Sequence, residues 1–174
     1  MSTDIAVRSL GAAEAQARTG ELTQVLLDCV EGGASVSFML PLERSAADAF
    51  WRGVAAAVAR GERTLIVAEA EGVIVGTVQL MTDMPPNQPH RADVAKLLVH
   101  RRTRGAGVGR RLMEALHEAA RLQGRTLLVL DTASATAERL YERLGWQRAG
   151  VVPDYALLPD GGLCATTFFY KRLS

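Results

Sequence analysis

The sequence predicts an α/β fold with a mixed sheet of seven strands and four helices on its faces. Three observations carry this prediction. Short β-rich runs alternate with longer runs of helical periodicity, Glu71-Gly72 joins two β-rich runs as a hairpin turn does, and Thr126–Leu130 is almost wholly apolar, as in a strand covered on both faces. The 174 residues suit a single domain over 1–174, and 48% hydrophobic against 22% charged residues excludes a disordered chain.

The first half of the chain contains three of the predicted strands and two of the helices. An alternating run opens the chain, and an apolar face at helical spacing follows until Gly32-Gly33 ends that helix. A second helix is capped by Ser45 and ends at Gly61, before the two strands of the hairpin. The predicted strands cover 4–10, 64–70 and 73–81, and the first helix covers 12–30.

The second half repeats the alternation of strand and helix and closes with two strands. Glycines end both of its helices, Gly124 the first and Gly145 the second. A Pro/Gly loop that contains Pro153, Pro159, Gly161 and Gly162 separates the last two strands. The predicted strands cover 93–99, 126–130, 146–152 and 164–170, and the helices cover 108–122 and 134–144.

Composition excludes several function classes. The net charge of +1 gives no reason to expect a nucleic-acid or membrane partner. Cys29 and Cys164 lie far apart among apolar neighbours, so we expect two reduced core cysteines and no metal site. Residues 1–5 contain neither a basic start nor an apolar signal segment, and no apolar run reaches membrane-spanning length, so we expect a cytoplasmic protein.

The most informative segment is the glycine-rich run Arg104–Gly109, which follows a strand and opens a helix. Glycine accepts unusual backbone angles and lets a ligand approach closely, and the first N–H groups of a helix lack internal acceptors. The positive end of the helix dipole lies at the same place. The turn is therefore predicted to bind a pyrophosphate, with cations supplied by five nearby arginines: Arg101, Arg102, Arg104, Arg110 and Arg111.

Glycine spacing distinguishes between the cofactors that contain a pyrophosphate. A dinucleotide fingerprint would need glycine at Arg110 or at Leu112, and a nucleotide-triphosphatase loop would need Gly-Lys-Ser/Thr. Neither pattern is present. A flexible turn with a solvated charge run is the alternative, and the coincidence of strand, helix and arginines disfavours it. Anion binding at the turn is the interpretation that these observations favour.

The run Lys96–Met113 resembles motif A of the GNAT acetyltransferases, with Arg104, Gly107 and Gly109 at the motif positions. The likeness continues through residues 131–146, where Tyr141 and Gly145 are followed by Trp146 in place of the family's phenylalanine. The resemblance implies the GNAT fold, whose sheet is mostly antiparallel, and an N-acetyltransferase that uses acetyl-CoA and no metal.

Within the family the chain most resembles the tabtoxin resistance protein type. Three segments carry that likeness: 32–39, 90–97, and Pro153-Asp154-Tyr155 leading to 159–161. The resemblance also implies an acceptor site close to the link between the first two helices. Phe38 lies in that link, and Phe38 and Tyr155 are the aromatic residues expected to contact the acceptor.

The resemblance further assigns the cofactor site. Backbone groups of Leu98 and Val99 are expected to bond the pantetheine arm, and one of these N–H groups to polarise the thioester carbonyl. The pyrophosphate is expected to bind the turn residues, which are Arg104, Gly105, Ala106, Gly107, Val108, Gly109 and Arg110.

Tyr141 is the candidate acid, because a phenol that titrates near 10 can give a proton to a thiolate whose thiol titrates near 8.5. Its apolar helix face also permits a plain core role. Asp93 and Asp131, at strand ends, are the candidate bases, although strand-end aspartates also cap turns. Glu69 and His90 are alternates for the base.

The expected function is acetylation of the primary amine of a small molecule, as in toxin or antibiotic detoxification, by direct attack in a ternary complex. One alternative is a GNAT enzyme that acetylates a peptide or protein amine, which a long acidic groove would favour. Another is a non-catalytic acyl-CoA-binding domain. No helix-turn-helix signal supports a nucleic-acid-binding domain. The expected state is a monomer or a homodimer.

Overall fold

The computed structural model describes residues 4–174 and contains the predicted mixed sheet of seven strands. The strands are β1 (Ile5–Leu10), β2 (Arg63–Ala70), β3 (Val73–Met81), β4 (Arg91–Val99), β5 (Leu127–Thr132), β6 (Gln147–Leu157) and β7 (Leu163–Arg172). Their order is β1-β2-β3-β4-β5-β7-β6, and every neighbouring pair is antiparallel except β4 and β5. Residues 1–3, which carried part of the expectation about the N-terminus, lie outside the described residues.

Five α-helices flank the sheet, one more than predicted. They are α1 (Ala12–Ala17), α2 (Thr19–Glu31), α3 (Arg44–Ala59), α4 (Val108–Leu122) and α5 (Ala135–Arg143). The single helix predicted over 12–30 is wrong, because Arg18 leaves the helical conformation, with φ −105° and ψ 21°. Its guanidinium binds Glu21 and Glu69, and this pair of contacts fixes the break between α1 and α2.

The helices form two layers, one on each face of the sheet. On one face α1, α2 and α3 bury an apolar cluster around Leu22, Trp51 and Leu65. On the other face α4 and α5 bury a second cluster that includes Leu112 and Phe169. Each face of the central strands is thus covered over part of its width, which explains why their sequences are almost wholly apolar.

Two predicted boundaries are wrong for local reasons. The carbonyl of Glu43 accepts the first bonds of α3, so the helix begins at Arg44 and Ser45 lies inside it rather than capping it. The strand predicted to stop at Val152 continues through Pro153 to Leu157. β6 is an edge strand whose register with β7 shifts after Val152, and a proline without an N–H is tolerated there.

A buried polar pair joins α4 to the end of α5. Trp146 donates its Nε1–H to Nε2 of His117 at 3.0 Å, and the His117 ring is only 6% exposed. Burial, with Lys171 and Arg121 nearby, lowers the pKa of His117 to about 4. The folded protein therefore holds this imidazole neutral, whereas the unfolded chain takes up a proton below a pH of about 6.5.

The free energy of unfolding is therefore expected to fall as the pH drops from about 6.5 to about 4. His117 should account for up to about 3 kcal/mol of this loss. His117→Gln, which keeps an acceptor for Trp146, should remove that part of the pH dependence. Urea unfolding of both proteins between pH 7.5 and 4.5 measures it. Free energies of unfolding that fall in parallel would show that His117 is not the titrating group.

Candidate active site

The parallel pair β4 and β5 separates along its length and leaves an opening in the sheet. The two strands are paired at only three positions, the last of which is Asp93 opposite Val129. Beyond it β4 continues to Val99 and β5 to Thr132 without pairing to each other. Backbone groups that would normally bond across a sheet are therefore free to bond a ligand in this opening.

The register of β4 shows which of its groups face the opening. His100 donates its N–H to the carbonyl of Val75 on β3, and Leu98 lies opposite Thr77. Because bonding direction alternates along an antiparallel strand, the groups of Leu98 also face β3 and those of Val99 face the opening. The expectation that Leu98 bonds a ligand through its backbone is therefore wrong, because these groups bond β3, whereas the role of Val99 stays a prediction.

The glycine-rich turn presents a set of free N–H groups at the start of α4. Gly107 precedes the helix with φ 76°, and Gly105 has φ 80°, which are left-handed conformations that glycine adopts without strain. Ala106 differs, because its N–H donates to the carbonyl of Thr103 at 3.3 Å. Five other N–H groups of the turn have no acceptor within residues 4–174: those of Gly105, Gly107, Val108, Gly109 and Arg110.

The arginines around the turn have different roles, which corrects the expectation of five free cations. Arg101 donates its N–H to Oδ2 of Asp28 at 2.9 Å and binds Oδ1 through its side chain. Asp28 is buried, and although burial opposes its ionisation, these bonds from Arg101 hold its pKa below the usual value. Asp28 on α2 therefore anchors the start of the turn.

Four other arginines remain at the turn surface. Arg104 donates to the carbonyl of Val99 at 3.2 Å, and Arg110 binds Glu114 at 2.7 Å. Arg102 and Arg111 are exposed, and no side-chain acceptor for either guanidinium lies within the described part of the chain. The turn is thus an exposed, positively charged helix N-terminus, as an anion site requires.

Gly109 connects this turn to the helix that carries Tyr141. A Cβ at Gly109 would lie 3.3 Å from Cδ2 of Leu140, so a side chain here would have to displace the Leu140 side chain on α5. Tyr141 itself is 5% exposed, between the rings of Trp146 and Phe169 at centroid distances of 5.8 and 5.9 Å. Burial, with the charge of Asp131 nearby, raises the pKa of its hydroxyl. Tyr141 is therefore a protonated phenol at neutral pH.

A cavity of about 250 Å³ lies where the link between α2 and α3 meets the ends of β5, β6 and β7. It brings together Phe38, Tyr155 and Asp131, three residues singled out from the sequence. Thr166 donates to Oδ2 of Asp131 at 2.7 Å, which leaves Oδ1 available to a ligand. Most of the remaining wall is apolar, so the cavity combines one carboxylate with an apolar surface.

A second cavity of about 230 Å³ lies between β4 and β5 and contains both Asp131 and Asp93. The carboxylate of Asp93 binds the guanidinium of Arg91, whereas Asp131 has no cationic partner in residues 4–174. Asp131, which lines both cavities, is therefore the better placed acceptor for a proton. Neither alternate base lines these cavities, since Glu69 binds Arg8 and Arg18 and His90 lies on the surface before β4.

Two residues at this site were not predicted. Cys164, expected in the core, lines the first cavity beside Ser35, and both cysteines are free. Lys96 lies on β4, where its Nζ donates to Oγ of Ser37 on the cavity wall at 3.1 Å. A lone charge inside the apolar run 94–99 is the sequence signal that could have identified it.

Residues 4–174 contain neither a metal-binding cluster nor a membrane-spanning helix. No group of three or more His, Cys, Asp or Glu side chains could hold a metal ion. No helix in the same residues is long and apolar enough to cross a membrane.

Comparison with known proteins gives the family. The acetyltransferase (GNAT) domain family matches residues 61–148, half of the chain, which includes β4, the glycine-rich turn and Tyr141. An uncharacterised N-acetyltransferase of Azospirillum brasilense is 34% identical over 60% of this chain and 61% of its own. Human N-acetyltransferase 8B is 37% identical over 48% of this chain and 38% of its own, so these matches span less than two thirds of either relative.

Solved structures share the fold over nearly the whole chain. An N-acetyltransferase from Staphylococcus aureus superimposes with a TM-score of 0.81 at 16% identity, over 99% of this chain and 100% of its own. A phosphinothricin acetyltransferase from Sinorhizobium meliloti, solved in complex with acetyl-CoA, superimposes with a TM-score of 0.79 at 17% identity. The match covers 100% of this chain and 90% of its own. These superpositions establish the fold, and the match to the family's domain over residues 61–148 establishes the family. The chain belongs to the GNAT acetyltransferase family.

Proposed function

We propose that the protein is an acetyl-CoA-dependent N-acetyltransferase that acts on the primary amine of a small molecule. One observation carries the proposal: five N–H groups without acceptors, counted within residues 4–174, lie at the start of α4 beside the opening between β4 and β5. On the other side of that opening, Asp131 lies in a cavity of about 250 Å³. A thioester held in the opening would thus lie between the turn and the cavity.

The turn would bind the pyrophosphate of coenzyme A, mainly through backbone N–H groups from Gly105 to Arg110. The N-terminus of α4 favours the negative charge, and Arg102 and Arg111 add mobile cations. The pantetheine arm would then follow β4, where the N–H of Val99 faces the opening. The acetyl-CoA complex of the Sinorhizobium meliloti structure supports this assignment for a chain of the same fold.

The reaction would be a direct transfer. The amine nitrogen attacks the thioester carbonyl, the C–S bond breaks, and an amide and a free thiol result. Asp131 takes the proton from the ammonium, directly or through water, and the hydroxyl of Tyr141 donates a proton to the leaving sulfur. Burial that raises the pKa of Tyr141 also raises that of a thiol beside it, so the proton transfer stays feasible.

The small negative charge of the cavity favours a small-molecule acceptor rather than a basic peptide. Its lining contains a single carboxylate, that of Asp131, and the adjoining cavity adds only Asp93. A long acidic groove for a basic peptide would need more negative charge than these two residues supply. The phosphinothricin acetyltransferase among the structural relatives and the resemblance to the tabtoxin resistance type both support a detoxifying acetyltransferase.

Calorimetry with acetyl-CoA near neutral pH, followed by free-thiol release with a panel of amines, tests the proposal. We expect binding of acetyl-CoA and amine-dependent release of thiol. Absence of acetyl-CoA binding would refute the proposal as a whole. Binding without thiol release for any amine, peptide amines included, would support the non-catalytic alternative instead.

Replacing Gly107 with alanine is expected to raise the Kd for acetyl-CoA by about 10-fold. The change strains a residue with φ 76° and places a methyl group at the rim of the pyrophosphate site. Gly124→Ala is the matched control, because Gly124 has φ 70° just beyond the other end of α4 and is equally uncrowded. Both variants should lose about 1 kcal/mol of stability, and only Gly107→Ala should lose affinity. Equal Kd values would refute this site.

A further inference from the structure

Lys96 carries an ammonium group that lies beside the acceptor cavity, because it bonds Ser37 of the cavity lining. It is half-buried, and its Nζ donates to Oγ of Ser37 at 3.1 Å and lies 6.0 Å from the ring centre of Phe50. Within residues 4–174, no carboxylate oxygen lies within 4.0 Å of this Nζ. Such a group is poorly compensated, because an ammonium has three donors and Ser37 satisfies only one of them with a neutral oxygen.

The backbone of β4 is distorted at this lysine. Thr77 pairs with Leu98 and Gln79 pairs with Ala95, so Lys96 and Leu97 together oppose one residue of β3. Lys96 occupies the left-handed region there, with φ 55°. A bulge of this kind changes the direction of a side chain, and a residue other than glycine in it costs stability. Lys96 lies beside both cavities, since its Nζ bonds Ser37 of the first and the preceding residue, Ala95, lines the second.

A second cation, Arg63, lies close enough to Lys96 for its charge to act on the ammonium. Arg63 on β2 donates to Oε1 of Gln79 at 2.8 Å, and Nε2 of the fully buried Gln79 has no acceptor in the described residues. Burial, with the charge of Arg63, lowers the pKa of Lys96, and the carboxylate of Asp131 opposes this effect. Lys96 thus lies near a second cation, and Asp131 is the one carboxylate of residues 4–174 whose charge acts on it.

We propose that the acceptor is an amino acid with an apolar side chain, whose carboxylate binds Lys96 while its amine lies at Asp131. This inference rests on the proposed acetyltransferase function and names its substrate class. Lys96 and Asp131 complement the two charges of a free amino acid. The apolar wall formed by Phe38, Met39 and Tyr155 then contacts the side chain.

The test compares substrates that differ in a single charge. L-Phenylalanine, L-leucine and L-methionine are each assayed with acetyl-CoA beside their primary amides, which keep the shape and lose the carboxylate. The intact protein is expected to show kcat/KM values at least 10-fold higher for the amino acids. Higher or equal values for the amides would overturn the inference and leave the acetyltransferase function intact. Absence of thiol release with every amine would instead refute the proposed function.

Lys96→Met provides the second arm, because it keeps the apolar stem and removes the charge. It should raise KM for the amino acids by about 10- to 100-fold, leave kcat within about 3-fold, and leave the amides unaffected. Arg52→Gln, which removes an exposed positive charge on α3, should change neither substrate set. Acetyl-CoA affinity measured on both variants confirms that they are folded. An equal loss for amino acids and amides in Lys96→Met would overturn the assignment of Lys96.

Discussion

Replacing Asp131 with asparagine is expected to lower kcat/KM for the acceptor amine by about 100-fold near neutral pH. The variant keeps the size of the side chain and can still accept the bond from Thr166. Its amide then presents N–H donors where the carboxylate would receive a proton and attract an ammonium. Steady-state thiol release at pH 7 with saturating acetyl-CoA measures the effect.

Asp93→Asn is the matched control for this prediction. Asp93 lines the same inter-strand cavity as Asp131, but its carboxylate binds Arg91, so we expect less than about a 5-fold loss. The pH dependence adds a second readout. An alkyl amine titrates near 10, so it deprotonates unaided as the pH approaches that value, and the deficit of Asp131→Asn should shrink toward pH 9.5. A deficit independent of pH, or a larger loss in Asp93→Asn, would contradict the assignment of Asp131 as the base.

Local chemistry explains which features the sequence could predict. The β2–β3 hairpin follows from Glu71-Gly72, and both residues have the positive φ of a tight turn, 52° and 77°. The glycine-rich turn is equally local, because a strand, three glycines and a helix are adjacent in the chain. The sequence singles out Phe38, Tyr155 and Asp131 separately, and only the fold shows that they share one cavity.

Features that depend on distant partners could not be predicted. Arg101 looked like one more phosphate ligand, and its role as an anchor depends on Asp28, 73 residues earlier in the chain. The opening between β4 and β5 arises because β5 continues along β7 while β4 continues along β3. Pairing of this kind is set by the whole sheet, and it determines that the backbone of Val99 faces the opening and that of Leu98 faces β3.

Tyr141→Phe is expected to lower kcat by about 100-fold and leave the Kd for acetyl-CoA within about 3-fold of that of the intact protein. The phenylalanine keeps the contacts with Trp146 and Phe169, so stability should change little. What it loses is the protonated hydroxyl that burial and the charge of Asp131 maintain at neutral pH. Single-turnover thiol release isolates the chemical step, so a slow product release cannot hide the effect.

Tyr170→Phe controls for the loss of a hydroxyl elsewhere in the sheet. Tyr170 on β7 donates its hydroxyl to Oε1 of Gln147 on the exposed side of the edge strand, away from both cavities. We expect its single-turnover rate to stay within about 2-fold of that of the intact protein, because exposed hydrogen bonds contribute little. If Tyr141→Phe matched Tyr170→Phe in that rate, Tyr141 would be a core residue alone. The proton for the leaving sulfur would then come from water that enters the opening between β4 and β5.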